Sequence, residues 1–305
     1  MKWEKRGLIY CPDGSSSWAK HTALQPTPIL LDADTIRVYL GFRDEQGAGR
    51  VGYVDVSAHD PRIVKGVSES PCLDVGAAHN TFDCDGVIPC AIVKRGNELY
   101  LYYAGYNTGG KVRFTVFGGL AISQDGGETF QRYSKVPVAD RTDDELLFRV
   151  IHSILPEQGK WKAWYGGGSE FQTGAHKSLP VYNIRSMVSE DGIVFPSKGT
   201  VVVDNEGEEH RVGRPYVIKL NDEYLMFFGS GSEKIPYQLT YASSMDGQTW
   251  TRRDDLVGLE RSESGWDSEM TAYPAVIQAG NKTYMFYNGN DYGKTGFGFA
   301  ELMER

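Results

Sequence analysis

Cysteine is scarce in this chain: Cys11, Cys72, Cys84 and Cys90 are the four in 305 residues, and no two have C-x-x-C spacing. That argues against disulfide bridges or zinc ligation and favours free thiols in a reducing compartment. No stretch approaches the roughly 18 to 20 apolar residues of a membrane-spanning helix, so no membrane association is expected. The opening residues Met1-Lys-Trp-Glu-Lys-Arg lead into no apolar export segment, which makes a cytoplasmic location the expectation. Basic residues are outnumbered, 32 against 40 acidic, for a net charge of −8 without any basic cluster. A nucleic-acid partner is therefore not expected. No His-x-x-x-His pair occurs, and the glycine clusters at 105–110 and 166–168 precede no helical pattern, so neither a metal nor another cofactor is expected. Nothing in the composition bears on oligomeric state.

Glycine and aromatic residues, by contrast, are plentiful: 36 glycines and 12% aromatics, set in short alternating runs. Residues 275–278, a Gly280-Asn281 turn, residues 283–287, a polar loop at 288–293 and residues 296–302 read as strand, turn, strand, loop, strand. The same grammar occurs at 28–56, 89–123, 152–188 and 215–243. Three units end in a shared turn, Ser123-Gln-Asp-Gly, Ser189-Glu-Asp-Gly and Ser244-Met-Asp-Gly, followed by Phe130, Phe195 and Trp250. Asp-Gly supplies the side-chain hydrogen bonding and positive φ of a tight turn. The aromatic that follows is expected to open an outer strand and pack between neighbouring units. Repeats of roughly 50 to 65 residues, each a four-stranded antiparallel sheet, predict an all-β fold, a β-propeller of five blades in one domain spanning 1–305. The last unit lacks a fourth strand, and Trp3 to Gly7 is expected to supply it and close the ring.

In such a ring, the loops entering the innermost strands share one face with the loops joining second to third strands. Those loops concentrate polar side chains: His79, Asp83 and Asp85; Arg149 and His152; His210, Arg211 and Arg214; Trp266, Asp267, Glu269 and Tyr273; with Arg43, Asp44, Asn288 and Asn290 from the second set. Carboxylates, amide donors and aromatic platforms together suit a sugar, whose hydroxyls need acceptors and whose C–H faces pack on rings. Glycoside hydrolysis requires a carboxylic acid and a carboxylate across the scissile bond. Asp85 and Glu269 form the first candidate pair, with Asp83 and Asp267 as neighbouring alternatives. Arg43, Asp44, Arg149, Arg211, Arg214, His79, His152, Trp266, Tyr273, Asn288 and Asn290 are candidate substrate contacts. The competing expectation is that these carboxylates form salt bridges with Arg149, Arg211 and Arg214.

With its five meanders, Ser-x-Asp-Gly turns and acidic incoming loops, the chain resembles the five-bladed propeller glycosidases. That group comprises glycoside hydrolase families 32, 43, 62 and 68, with the phosphorylases of family 130 as relatives. The chain is most similar to propeller proteins associated with bacterial surface-polysaccharide gene clusters. The resemblance implies a hydrolase acting on glycosidic bonds in polysaccharide metabolism, with an Asp on the first blade, an Asp on the second and a Glu on the third. Asp85 or Asp83 matches the second, whereas the first blade offers Gln25 and Thr27 and the third offers Arg149 and His152. A non-catalytic carbohydrate-binding propeller and a glycoside phosphorylase remain alternatives. The turn at Ser123 to Phe130 also resembles the Asp-box of sialidases, whose three-arginine cluster Arg149, Arg211 and Arg214 could imitate.

Overall fold

The structure, a computed structural model, describes residues 1–77 and 80–304. An N-terminal strand, β1 (Lys2–Tyr10), precedes the first unit: β2 (His21–Leu30), β3 (Thr35–Arg43), β4 (Gly49–Ser57) and β5 (Val64–Val67). The second unit is β6 (Gly86–Arg95), β7 (Glu98–Thr108), β8 (Phe114–Ser123) and β9 (Gln131–Arg132). The third is β10 (Phe148–Glu157), β11 (Lys160–Thr173), β12 (Ser178–Ser189) and β13 (Thr200–Val203). The fourth is β14 (Arg211–Leu220), β15 (Glu223–Gly231), β16 (Gln238–Ser244) and β17 (Thr251–Arg252). The fifth is β18 (Ala272–Ala279), β19 (Lys282–Asn288) and β20 (Phe297–Glu304), completed by β1 pairing antiparallel to β20. Consecutive strands within each unit pair antiparallel, and the first strands β2, β6, β10, β14 and β18 touch in sequence and back to β2. The architecture is all-β and propeller-like.

Period-two alternation along the second strand of each unit explains the arrangement. On β7, Tyr100 and Tyr102 face the third unit, while Leu99, Leu101 and Tyr103 face the first. On β15, Leu225 and Phe227 join the fifth unit, and Tyr224, Met226 and Phe228 the third. On β19, Tyr284 and Phe286 pack on the first unit, and Met285 and Tyr287 on the fourth. A strand apolar on both faces must be covered on both. Only sheets stacked around a closed ring cover every such face without leaving an outermost one.

Two of the Ser-x-Asp-Gly turns fasten their unit to its predecessor by a hydrogen bond. Tyr39 on β3 donates to the Gly127 carbonyl at 3.0 Å, and Tyr102 on β7 donates to the Gly192 carbonyl at 2.7 Å. Gly127 (φ 92°) lies so close to Tyr39 that a Cβ there would stand 2.0 Å from the phenol oxygen. The expected aromatics do sit between units: Phe130 lies 5.4 Å from Tyr39, Phe195 6.4 Å from Tyr102 and Trp250 6.0 Å from Trp164, between ring centroids. Phe195 does not open its outer strand, because Pro196 follows it and β13 begins only at Thr200.

Ring closure joins the two ends of the chain. Lys5 on β1 pairs with the buried Asp267 at 2.6 Å, and Asn288 on β19 accepts from the Gln25 amide at 2.8 Å while donating to the Ala23 carbonyl. Deleting residues 1–7 should uncover the β20 edge and strand the Asp267 charge, giving a clear loss of melting temperature and aggregation. Lys5→Ala alone should cost about 3 kcal/mol, at the low end for a buried pair because Lys5 is partly exposed. Denaturant unfolding measures both, and an unchanged midpoint in the deletion would make β1 a dispensable arm.

The turns also predict acid sensitivity. Asp246 is held at about 2 by the amides of Thr249 and Gln248 and the Ser244 hydroxyl. For Asp125 burial works against ionisation, yet bonds from Thr129 and Ser123 outweigh it and hold it at about 2. Both lie below the ordinary value of 3.8. Their contribution is therefore complete above about pH 4 and is lost as pH falls toward 2. Asp125→Asn with Asp246→Asn should lower the melting temperature at neutral pH and flatten its decline below pH ~4. A double variant whose acid decline parallels that of the parent would overturn this.

Candidate functional site

All five inner strands carry a bulge at the same level. The register slips at Gln25-Pro26 in β2, Cys90 in β6, His152 in β10, Arg214-Pro215 in β14 and Tyr273-Pro274 in β18. Gln25, Arg214 and Tyr273 adopt φ of 55°, 56° and 56°. That left-handed backbone is unfavourable for a non-glycine residue and worse before proline, the kind of strain that collects at functional sites. A bulge re-aims the side chain it carries. Gln25, His152, Arg214 and Tyr273 all line one cavity of about 250 Å³ at the centre of the ring. The Arg214 guanidinium ties the ring together, donating to the carbonyls of His152 (3.3 Å) and Pro26 (3.2 Å) and to the Thr27 hydroxyl (3.2 Å).

Above this floor the cavity has aromatic walls, among them Tyr106, Phe114, Phe148, Tyr182, Tyr237, Tyr273 and Tyr292. Tyr182 and Tyr237 share a hydroxyl–hydroxyl bond of 2.9 Å, and Arg211 lies over the Tyr237 ring at 5.1 Å while donating to the Tyr292 hydroxyl at 2.7 Å. A wider mouth continues outward past Tyr106, Arg113, Phe114, Tyr273 and Tyr292 to Arg43, Asp85, Asp291 and Lys294. Burial pushes the hydroxyls of Tyr106, Tyr182, Tyr237 and Tyr273 above the ordinary phenol value, so they serve as neutral donors and acceptors. Burial, reinforced by the Arg214 charge, holds His152 well below its ordinary value, and it stays neutral at pH 7. Among the described residues no group of three or more His, Cys, Asp or Glu side chains could hold a metal.

The expected carboxylates divide sharply. Asp85 lines the mouth, its carboxylate accepting from the Thr108 amide (2.6 Å) and hydroxyl (2.7 Å). Glu269 is exposed and lines neither the cavity nor the mouth; its loop is set by Asn290, which accepts from the Glu269 amide at 2.8 Å. Asp85 and Glu269 are thus not brought together in the funnel. Asp83 is buried against Arg132 (2.7 Å) and the Tyr103 hydroxyl (3.0 Å), and Asp267 against Lys5 (2.6 Å) and the Tyr287 hydroxyl (2.9 Å). Glu145 repeats the arrangement with Tyr165, Arg149 and Arg185. In all three the tyrosine follows the acid by 20 residues. A carboxylate entering the unit, a tyrosine on its second strand and a cation form one recurrent lock.

Of the remaining candidates, Arg43, His152, Arg211, Arg214 and Tyr273 line the funnel. Asp44 instead orders its own loop, accepting from the amides of Gln46 and Ala48 and from Arg50. Arg149 is consumed by Glu145, so the three-arginine cluster of a sialidase is not assembled here. Trp266 packs on Tyr287 with centroids 5.0 Å apart, while Asn288 and Asn290 bind backbone groups. His79 lies outside the described residues. Arg113, Phe114, Phe148, Lys177, Tyr182, Tyr237 and Tyr292 also line the cavity and were not among the expected residues. The recurrent X-Pro at Gln25-Pro26, Arg214-Pro215 and Tyr273-Pro274 was the available signal for the floor. The wall residues come from strand ends and loops with no common spacing.

The fold has solved counterparts. A glycoside hydrolase superposes with a TM-score of 0.73 at 17% identity, covering 98% of this chain and 90% of its own. A thermostable family-43 glycoside hydrolase gives 0.68 at 15%, covering 94% and 90%. A structure from the family 130 mannoside phosphorylases, a family described as containing hydrolases of β-1,2 mannosidic linkages in Candida mannan, gives 0.71 at 13%, covering 98% and 93%. At such identities the likeness establishes a glycoside-hydrolase-like propeller fold. No family model matches the chain. In sequence it is 32% identical over 303 residues to the uncharacterized protein Rv1502 of Mycobacterium tuberculosis strain ATCC 25618 / H37Rv, with 99% of each chain covered. The uncharacterized protein MT1551 of strain CDC 1551 / Oshkosh is 31% identical over the same length and coverage. The chain belongs to the family of these two mycobacterial proteins.

Proposed function

We propose that this chain is a carbohydrate-acting enzyme of the glycosidase type, a single five-bladed propeller domain over residues 1–305 that takes a saccharide in its central funnel. The observation that carries this reading is the ring of bulges, three of them with strained backbone, which turns four polar or aromatic side chains into one cavity walled by tyrosines. Aromatic faces accept the C–H faces of a sugar ring, and Gln25, His152 and the phenols offer donors and acceptors for its hydroxyls. Asp85, oriented by Thr108, is the carboxylate we assign to acid–base work at the glycosidic bond. A second reading has its own support. Among the described residues no carboxylate lines the inner cavity, and in the mouth hydrolysis by two carboxyl groups would have to take its second acid from Asp291, which lies 3.7 Å from Lys294. A phosphorolytic reaction needs only one protein acid, because phosphate supplies the nucleophile, and the funnel arginines would seat it.

Aryl furanosides and pyranosides assayed with and without phosphate test both readings. Asp85→Asn should lower turnover by about 10²- to 10⁴-fold with folding intact. Glu269→Gln, outside the funnel, should match wild type. Equal turnover by the Asp85 variant would remove Asp85 from the chemistry, and a loss on Glu269→Gln would restore the pair. A phosphate requirement would select phosphorolysis. Saccharide binding without turnover under any condition would leave a carbohydrate-binding protein.

A further inference from the structure

The charged groups around the funnel are unbalanced in a way the rest of the molecule is not. The chain as a whole is acidic, with a net charge of −8. Yet Arg43, Arg113, Lys177, Arg211, Arg214 and Lys294 line the cavity and its mouth against two carboxylates, Asp85 and Asp291. Asp291 is matched with Lys294 at 3.7 Å. Among the described residues none of the other five cations has an acidic partner within 4.0 Å. Elsewhere buried arginines are paired: Arg37 with Asp55 and Glu128, Arg149 with Glu145, and Arg252 with Glu209.

The two deepest cations make the point best. Arg214 is 2% exposed, and its hydrogen bonds go to two carbonyls and one hydroxyl, all neutral, with Nε unpartnered. Arg211 binds the neutral Tyr292 hydroxyl and the Ser232 carbonyl, and its Nε is likewise unpartnered. A buried charge is tolerated when it is paired, and an uncompensated one costs stability. Burial accordingly lowers Arg214 from its ordinary value. An anion in the cavity would supply the missing partner, through charge-assisted bonds stronger than neutral ones. The tyrosine walls argue against a bare inorganic ion as the natural occupant. A cavity with an aromatic wall and a cationic floor fits a ring that carries a charge.

We infer that the funnel is built for an acidic saccharide, whose carboxylate, sulfate or phosphate group lies against Arg211 and Arg214 while its ring faces Tyr273 and Tyr292. This rests on the carbohydrate reading above and narrows it to a substrate class. Calorimetric titration with matched probes tests it: methyl glycosides of the gluco, galacto and manno series in both anomers, each as the neutral sugar, the uronate, and the sulfate and phosphate esters, with sodium phosphate as a separate arm. In at least one series a charged member should bind about 10- to 100-fold tighter than its neutral counterpart, the range expected for hydrogen bonds to a charged group. That advantage should shrink with added salt. Arg211→Gln should weaken the charged member far more than its neutral counterpart and so remove most of the advantage, and Arg211→Lys should keep part of it. Arg211 is only half-buried, so its variants also cover the case in which Arg214→Gln fails to fold. Neutral and charged members binding alike would overturn the inference and leave the carbohydrate reading standing. Tight binding of sodium phosphate with preference for neutral sugars would also overturn it, in favour of phosphorolysis. Binding of no saccharide in any series would overturn the carbohydrate reading itself.

Discussion

The second strands β7, β15 and β19 are apolar on both faces, and the molecule depends on that. Leu225 and Phe227 on one side of β15 and Met226 and Phe228 on the other cannot both be covered within one sheet, nor by a two-layer sandwich. Stacking sheet against sheet covers them, but an open stack leaves two outer faces wet. Closing the stack into a ring removes both, and β1 covers the β20 edge, so that only the outermost strand of each unit is left as an edge. The tyrosines that bridge to Gly127 and Gly192 set the spacing between neighbours, so the ring is spaced by hydrogen bonds as well as filled by apolar volume.

Closure has a consequence at the centre. Five first strands brought side by side leave a channel, and each strand answers with a bulge at the same level. Where the bulged residue is followed by proline, the backbone is held in a conformation it would not otherwise choose. The cost is borne by the inter-sheet cores around it, and the return is a floor whose side chains are fixed by the ring. Arg214, on β14, shows the economy of this floor, because its three bonds reach residues of two other inner strands, β2 and β10.

The acidic loops that make the sequence look like a catalytic constellation serve chiefly to hold the units together. Asp83, Glu145 and Asp267 each meet a tyrosine 20 residues on and a cation from another strand. Such a lock repeats because the units repeat. With those carboxylates engaged, the funnel is left with unpaired arginines, which is what gives it its cationic character.

Much of the architecture was legible in the residues themselves. Alternation of period two, Asp-Gly turns at recurrent positions and a missing outer strand answered by Trp3 to Gly7 specify five antiparallel meanders and their closure, because these are local signals and each strand's pattern states how many of its faces need cover. The outer strands were less legible, as at Phe195, where Pro196 delays β13 to Thr200. The funnel was legible only in part: Arg43, Asp85, His152, Arg211, Arg214 and Tyr273 fall where loop topology puts them. Asp83 and Asp85 stand two residues apart, and no property of either side chain says which meets Arg132 and which opens to the mouth. That is decided by which face of the unit each residue presents once Tyr103 and β9 are in place. Arg149 and Arg214 likewise look equivalent in sequence, yet one finds Glu145 and the other finds only carbonyls and a hydroxyl. Charge pairing depends on through-space neighbours contributed by distant strands, so sequence determined the ring, and only the assembled ring determined which charges remain free at its centre.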